Sequence, residues 1–235
     1  MTLPGQTAGG TQAPRPARPA AGPIRLVMLG APGAGKGTQA DRFGRVRGVP
    51  RVSTGDILRD AVLSGSALGQ AARAIMDAGR LVDDETMIGI VRDRLAQADA
   101  RDGFVLDGFP RTVAQAEALD ELVAQQPPLV VVNIEVPEDT LVRRLTARRI
   151  CGRCGTTARP GDVQCPRCGG ALVQRRDDDP EVVRERLRVY ARTTQPIVDF
   201  YRDRATFRSV DGDQSPDAVA ADIAAAVASV VGGRG

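Results

Sequence analysis

The feature that most constrains the fold is a short apolar run that ends in a glycine-rich loop. Residues 24–30 read IRLVMLG, which is typical of a buried parallel strand, and residues 31–36 continue as APGAGK. This spacing of glycines and lysine predicts a P-loop, in which backbone N–H groups and the N-terminus of a helix bind phosphate. A glycine-rich turn without a ligand is the alternative, but the strand before the loop and the helix predicted from Lys36 favour the phosphate site.

The rest of the chain alternates between strand and helix patterns. Further strands are predicted at 51–56, 104–108, 129–136 and 207–212, of which 129–136 has the clearest buried-strand pattern. Apolar residues at helical spacing predict helices between these strands and a final helix capped by Ser215. One of these helices is predicted over 140–149 and another over 181–192, after which Pro196 marks a break or restart. Alternation of this kind predicts an α/β fold, here a three-layer P-loop fold around a five-stranded parallel sheet.

Two stretches interrupt the alternation and are expected to be inserts at the ligand-binding edge of the sheet. Residues 53–82 are helical and flanked by glycines, and residues 149–177 are rich in cysteine and arginine. Residues 1–22 contain few bulky apolar residues and are expected to be a disordered tail before a core of residues 23–235. Arginines without acids in this tail weakly resemble a transit peptide, but its prolines and glycines oppose the amphipathic helix required.

The composition excludes several classes of mechanism. The 235 residues include no histidine and no tryptophan, and only 3% are aromatic. The lack of histidine excludes Ser-His-Asp triads, Cys-His pairs and His-ligated zinc, and few aromatics are available for stacking on single-stranded nucleic acid. No apolar run is long enough to span a bilayer, and no signal-peptide core is present near the start. We therefore expect a cytoplasmic protein with reduced thiols.

All four cysteines fall in the second insert. Cys151-x-x-Cys154 is followed after ten residues by Cys165-x-x-Cys168, and a glycine follows each pair. Four thiolates at this spacing predict a closed, tetrahedral structural zinc site. Disulfides and an iron–sulfur centre are the alternatives. A reducing compartment opposes the disulfides, and nothing else in the sequence indicates redox chemistry.

Charged residues at the ends of predicted elements indicate phosphoryl chemistry. From Arg143 to Arg176 there are nine arginines and a single acid, which favours a phosphate-rich ligand over a solvated charged face. Asp107 ends a predicted strand beside the P-loop, where a carboxylate orders Mg²⁺ and its waters. The residue after the P-loop lysine is usually Ser or Thr, but here it is Gly37, followed by Thr38.

Arginines from four separate parts of the chain could converge on a transferring phosphoryl group and neutralise its charge. They are Arg111, Arg144, Arg148, Arg175 and Arg186. Arg144 and Arg148 stand four residues apart on a predicted helix and would share one face. Taken singly, each arginine could equally be a solvated surface charge.

Together these motifs resemble the adenylate kinase family. The matching stretches are GAPGAGKGTQA at 30–40, STGDILR at 53–59, DGFPRT at 107–112, RRICGRCGTT at 148–157 and RRDDDPEVVRERL at 175–187. The resemblance covers roughly residues 24–231, and the four-cysteine insert is similar to the lid of many bacterial members. It implies an enzyme that transfers a phosphoryl group from Mg·ATP to AMP to give two ADP. It also implies a structural Zn²⁺, a monomer, and neither nucleic acid nor a membrane as a partner.

The resemblance also implies roles for particular residues. Those expected on ATP are Gly33, Ala34, Gly35, Lys36, Gly37, Thr38, Arg148, Thr157, Ala158 and Gln214. Those expected on AMP are Thr54, Arg59, Arg80, Leu81, Val82, Gly108, Phe109, Pro110, Arg111, Gln115, Arg175 and Arg186, with Gln115 on the adenine and Arg111 on the phosphate. The implied catalytic set is Lys36, Asp107, Arg111, Arg144, Arg148, Arg175 and Arg186. Ala158 stands where many members have an aromatic residue, and the cysteine insert looks shortened.

Two other functions remain open from the sequence. A UMP/CMP or GMP kinase would share the P-loop and the DGFPR stretch, although Gln115 and Thr54 favour adenine. A regulator in which ATP switches a partner, with the cysteine segment on nucleic acid, would also have a P-loop. The cysteine segment contains no aromatic residue, which argues against that second alternative.

Overall fold

The computed structural model describes residues 23–159 and 161–232 of the chain. The strands, in chain order, are β1 (Ile24–Leu29), β2 (Arg51–Ser53), β3 (Gly103–Asp107), β4 (Leu129–Glu135), β5 (Ile150–Cys151), β6 (Leu172–Val173) and β7 (Phe207–Asp211). The helices are α1 (Lys36–Arg47), α2 (Thr54–Leu63), α3 (Ala67–Asp77), α4 (Asp84–Leu95), α5 (Val113–Val123), α6 (Glu138–Ala147), α7 (Pro180–Val189), α8 (Gln195–Arg202) and α9 (Pro216–Val231).

The centre of the fold is the predicted five-stranded parallel sheet. Within the described residues its strands pair in the order β2-β3-β1-β4-β7. Leu26 of β1 lies opposite Val105 of β3 and Val130 of β4, so the P-loop strand is in the middle of the sheet. The carboxyl ends of all five strands meet at one edge, which is where open α/β sheets bind ligands.

The three central strands β1, β3 and β4 are mostly apolar because both faces of the sheet are covered. Val27 and Leu106 belong to a buried cluster with residues of α2, α3, α4, α5 and α8. Leu26 and Val105 belong to a second cluster, on the opposite face, with residues of α1, α6 and α9. Side chains alternate between the faces of a strand, so two separate cores arise from one sheet. The predicted three-layer arrangement is confirmed.

One predicted helix ends earlier in the structure. The helix predicted over 140–149 ends at Ala147, and Arg148 is extended, with φ −63° and ψ 133°. At the break or restart predicted at Pro196, a new helix, α8, begins with Pro196 in its first turn. A π-helical turn, Tyr190–Thr194, joins α7 to α8. An extra residue in a helical turn leaves room for a proline, which has no N–H to donate.

The first insert contains two helices, and we call residues 54–77 the helical segment. Ser53 caps α2 by accepting a hydrogen bond from the N–H of Asp56, and Ser66 caps α3 in the same way. The two helices approach so closely at Gly69 that an added Cβ would lie 2.0 Å from the carbonyl oxygen of Ala61. Leu58 of α2 is buried in the core of the sheet face that this segment covers.

The second insert, residues 149–177, is called the cysteine segment here. Its framework is a two-stranded antiparallel ladder in which Ile150 of β5 pairs with Val173 of β6. The glycines after the two cysteine pairs, Gly155 and Gly169, have φ of 69° and 68°. Only glycine adopts this left-handed conformation at little cost, so these positions let each pair turn its thiols to the same side.

The predicted disordered tail, residues 1–22, and the last residues of the predicted core lie outside the described part of the chain. None of the described helices combines the length and the apolar character needed to cross a membrane.

Candidate active site

The P-loop forms the floor of the site at the carboxyl end of β1. Gly33 and Gly35 have φ of 88° and 97°, which turns the loop toward the first residue of α1. That residue is Lys36, whose Nζ donates hydrogen bonds to the carbonyl oxygens of Gly30 (2.7 Å) and Ala31 (3.0 Å). Backbone N–H groups of such a loop and the N-terminus of α1 together form an anion site.

A cavity opens between the P-loop, the helical segment, the β3–α5 loop and α7. Predicted site residues that line it are Lys36, Thr54, Arg59, Arg80, Leu81, Val82, Gly108, Pro110, Arg111, Gln115 and Arg186. The carbonyl oxygen of Gly108 accepts hydrogen bonds from Thr54 Oγ1 and Arg111 Nε, both at 2.8 Å. The Thr54 bond holds the β3–α5 loop against the helical segment, and the Arg111 bond lies within the loop.

Six cations from separate parts of the chain converge beside this cavity, and we call them the cationic cluster. Its members are Lys36, Arg59, Arg111, Arg148, Arg175 and Arg186. The pKa of Lys36 is lowered to about 8: burial is the largest cause, Asp107 opposes it, and the positive charges of Arg111 and Arg186 add to it. Burial and neighbouring arginines also lower the pKa of Arg111 and of Arg175, each to about 10.

The cluster has more positive charge than its acidic partners neutralise. Asp178 is fully buried and accepts from Arg148 Nε (2.8 Å) and from Arg186 Nη1 (3.3 Å). Burial alone would raise the pKa of Asp177, but Arg186, 3.0 Å away, and nearby arginines hold it below its usual value. Within the described part of the chain, the buried Nε of Arg175 has no hydrogen-bond partner. Such a cluster is suited to a ligand with several negative charges.

A second charge network surrounds the aspartate at the end of β3. Arg51 donates to Asp107 Oδ2 from Nη2 (2.5 Å) and Nε (3.2 Å). Its Nη1 lies 2.9 Å from Asp56 Oδ2, and Asp56 also pairs with Arg59 of the cationic cluster. The network therefore connects the carboxylate beside the P-loop to an arginine on the helical segment.

The surroundings of Asp107 fit the predicted Mg²⁺. A Cβ added to Gly37 would lie 3.2 Å from Asp107 Oδ2, so this carboxylate faces the start of α1. Mg²⁺ usually takes one or two protein carboxylates, with substrate phosphates and waters as its other ligands. A single carboxylate beside a phosphate loop matches that set of donors. Thr38 is exposed on α1.

The structure separates some of the predicted site residues from the cavity. Arg144 and Arg148 do not share a helix face, because α6 ends between them. Arg144 Nη2 donates to the carbonyl oxygen of Gly212 (3.0 Å), next to Gln214, whose amide donates to Asp222 (2.8 Å). Arg144 and Gln214 therefore lie at the β7–α9 loop.

Three further predicted residues are also outside the cavity lining. Thr157 is exposed and forms an isolated bridge with Ile150, and Ala158 donates its N–H to Arg149. Both are at the base of the cysteine segment. The side chain of Phe109 is buried in the core, so only its backbone is available at the site.

The four cysteine side chains form one compact cluster. Their sulfur atoms all lie within 4.8 Å of one another, and the pairs Cys151–Cys168 and Cys154–Cys165 are separated by 3.5 Å. A tetrahedral site with metal–sulfur bonds of ~2.3 Å has sulfur atoms about 3.8 Å apart. The cluster is therefore suited to bind one metal ion, and its sulfurs are too far apart to be disulfide-bonded.

Sequence reasoning missed several residues at the site. Arg51, Asp84, Asp178 and Tyr190 all contact or line it, yet none was singled out. Tyr190 stands on the π-helical turn, and burial raises its pKa to about 12, with Glu135 adding to the shift. An acidic run at 177–179 beside an arginine was the available signal for Asp178.

The fold and the site define a P-loop phosphotransferase, and comparison with known proteins identifies its family. A family model described as Adenylate kinase matches residues 28–206. The protein named adenylate kinase from Archaeoglobus fulgidus is 49% identical over 210 residues, covering 86% of this chain and 97% of its own. The protein named adenylate kinase from Thermodesulfovibrio yellowstonii is 48% identical over 204 residues, covering 83% of this chain and 95% of its own. The chain therefore belongs to the adenylate kinase family.

Proposed function

We propose that this protein catalyses the reversible transfer of the γ-phosphoryl group of Mg·ATP to AMP, giving two ADP. The observation that carries the proposal is the cationic cluster, six cations around a glycine-rich loop with too few acids to neutralise them. Phosphoryl transfer spreads negative charge over the equatorial oxygens of the moving group, and fixed cations stabilise that charge. No histidine and no covalent intermediate are required.

The two nucleotides take opposite sides of the cluster in this proposal. ATP phosphates bind along residues 33–38, and Lys36 exchanges its bonds to the Gly30 and Ala31 carbonyl oxygens for bonds to phosphate. AMP binds in the cavity, with its phosphate on Arg59 and Arg111. An oxygen of the AMP phosphate attacks the γ-phosphorus while the bond from that phosphorus to the β-phosphate oxygen breaks, so ADP leaves.

The predicted catalytic and binding residues are proposed to divide accordingly. Arg148, Arg175 and Arg186 neutralise the moving phosphoryl group from the side opposite the P-loop. Asp107 would hold Mg²⁺, which would neutralise charge on the ATP phosphates. Gln214, on the β7–α9 loop, and Arg144, which reaches that loop from α6, are assigned to the adenine side of ATP.

The two segments beyond the sheet edge are proposed to serve one nucleotide each. The helical segment lies within an insert of residues 53–82, and its residues Thr54 and Arg59 bind AMP. The cysteine segment acts as a lid over ATP, and Thr157 and Ala158 at its base reach that nucleotide. Closure would exclude water, which is a competing acceptor of the phosphoryl group.

We also propose that the four-cysteine cluster binds zinc, and that the protein works as a monomer in the cytoplasm. Thiolates in a tetrahedral set of four are the usual structural zinc ligands. Metal binding by these thiols requires them to be reduced, and a reducing compartment keeps them so. Metal analysis of the purified protein tests for zinc, and its sedimentation behaviour tests for a monomer.

The function is tested by an acceptor screen at fixed Mg·ATP. AMP, UMP, CMP and GMP are supplied separately, and nucleoside diphosphate formation is followed by a coupled assay. We expect AMP to be used with a kcat/KM at least ~100-fold above the others, the discrimination available from a hydrogen-bonded base pocket. Preference for UMP, CMP or GMP would contradict the proposal, and so would ATP consumption that needs no acceptor.

A further inference from the structure

The contacts of Gln115 in the cavity suggest how its amide is held. Gln115 is buried at the start of α5, and its side chain lines the cavity. Its Oε1 accepts a hydrogen bond from the backbone N–H of Arg111 (2.8 Å). Its Nε2 donates to Asp84 Oδ1, also at 2.8 Å. Each end of the amide therefore has one fixed partner and one position left for a ligand.

These two partners allow a single orientation of the amide. A backbone N–H can only donate, and an ionised carboxylate can only accept. Turning the Gln115 amide by 180° would place its NH₂ against the Arg111 N–H and its carbonyl oxygen against Asp84. Both hydrogen bonds would be lost, and like groups would face each other.

Asp84 is itself held in place. It is the first residue of α4, and its Oδ2 accepts a hydrogen bond from Thr112 Oγ1 at 2.9 Å. Thr112 caps α5, because the same hydroxyl accepts from the N–H of Gln115 at 3.2 Å. Asp84, Thr112 and Gln115 therefore form a closed set of contacts between α4 and α5.

We infer that Asp84 is a positioning residue that determines which purine the AMP pocket accepts, by fixing the orientation of the Gln115 amide. The inference rests on the proposed function and deepens it. The free hydrogen-bonding positions of the locked amide are one acceptor on Oε1 and one donor on Nε2. Adenine carries a donor on C6, its amino group, whereas 6-oxopurines carry an acceptor there. Only adenine places its donor opposite the fixed acceptor.

The inference is tested with Asp84→Asn, which keeps the size of the side chain. The new amide can accept from Thr112 and donate to a turned Gln115 carbonyl, so the other orientation loses one hydrogen bond instead of two. Asp83→Asn is the matched control. It makes the same charge change one residue away, at the N-cap of α4. There the side chain accepts from the N–H of Thr86, whereas Gln115 donates to Asp84.

The measured quantity is the ratio of affinities for AMP and IMP, which differ in the purine only at C6 and N1. Binding is measured by calorimetry, and kcat/KM is measured with each acceptor at fixed Mg·ATP. We expect the AMP-to-IMP ratio to fall about tenfold in the Asp84→Asn variant and to stay within a factor of two in the control, the scale of one neutral hydrogen bond.

Two results would overturn the inference. Asp84→Asn could weaken AMP and IMP by the same factor, which is what a purely structural role predicts, or it could leave the ratio unchanged. Failure of the proposed function is distinguishable, because it would appear as wild-type protein that forms no ADP from ATP and AMP. Calorimetry reports the purine preference without turnover, and thermal melting shows that each variant is folded at the assay temperature.

Discussion

The helical segment and the cysteine segment leave the same edge of the sheet but are held by different interactions. Leu58 and Ala72 of the helical segment are buried in the core, and Ile57, Leu68, Ile75 and Met76 pack against the same cluster. Among the described residues of the cysteine segment, the buried side chains are those of Cys151 and Cys165, while Val163 is 91% exposed. The first segment is stabilised by apolar burial, and the second depends on its metal ligands.

This difference has a consequence for motion. A segment that shares the core of the domain moves only by repacking that core, which costs free energy. A segment with its own metal-centred fold keeps its shape while it moves as a body about its two connections to the sheet domain. We therefore expect the larger independent movement from the cysteine segment, on the ATP side. We also expect each segment to lose its structure without disturbing the other.

The largest expected effect comes from removing two thiolates together, Cys154→Ser with Cys165→Ser. Binding of a structural zinc by small domains is worth ~10–16 kcal/mol at neutral pH, so losing it should unfold this segment while the sheet remains. We expect the KM for ATP to rise about tenfold or more and that for AMP to change less than about threefold, with activity still measurable at low temperature. Metal content, thermal melting and the two KM values are the measurements.

Val163→Ser is the control for this double variant, because it alters an exposed side chain of the same segment and no ligand. It should bind metal and melt like the parent. A double variant that also retains its metal and melts normally would remove the distinction between the two segments. A folded double variant with no activity at any temperature would mean that the metal takes part in the reaction.

The next largest effect is expected in the helical segment, from one added methyl group at Gly69. Gly69→Ala puts a Cβ 2.0 Å from the carbonyl oxygen of Ala61, so α2 and α3 must move apart. Overpacking of this kind costs ~1–3 kcal/mol, and it should raise the KM for AMP a few-fold while leaving that for ATP nearly constant. Denaturant unfolding measures the loss of stability, and steady-state kinetics measure the two KM values.

Gly89→Ala on α4 is the matched control, since an added Cβ there has nothing within 4 Å. Alanine is the better helix former, so this variant should be more stable by ~0.5–1 kcal/mol. If Gly69→Ala behaves like Gly89→Ala, the helices of the segment are not closely packed. A larger change in the KM for ATP than in that for AMP would reverse the proposed division of the nucleotides.

The smallest effect separates the two sides by pH. The pKa of Lys36 is about 8 in the free protein, so its ammonium is present below that pH and lost above it. kcat/KM for ATP should therefore fall as pH rises, to about half of its low-pH value at pH 8. Arg111 has a pKa of about 10, so AMP binding should stay constant over this range. Equal losses for both nucleotides would contradict the assignment of Lys36 to the ATP side.

Much of the fold could be predicted because its signals are local. The apolar run of β1, its glycines and Lys36 lie together in the sequence, and the two cysteine pairs have a spacing that few other structures share. The end of α6 was predicted two residues too late. No proline or glycine marks it, and Arg148 leaves the helix to reach Asp178, a partner distant in the chain.

Site residues that depend on long-range contacts could not be predicted in this way. Arg51 is a lone arginine in a weak strand, and its partner Asp107 is 56 positions further along the chain. Asp84 looked like an ordinary acid in the first turn of a helix, where negative charge is common. Only the packing of α4 against α5 brings it to Gln115.

The central claim is that a phosphoryl group passes directly from ATP to AMP, and its most direct test follows the phosphorus. The protein is incubated with Mg²⁺, AMP and ATP labelled in the γ-phosphate, and the products are separated by chromatography. Lys36→Met is the control. It removes a charge contact to phosphate, and its kcat is expected to be lower by a factor of ~10²–10³. The account predicts label in the β-phosphate of ADP, formed far more slowly by the variant. Label released as inorganic phosphate, at a rate independent of AMP, would contradict it.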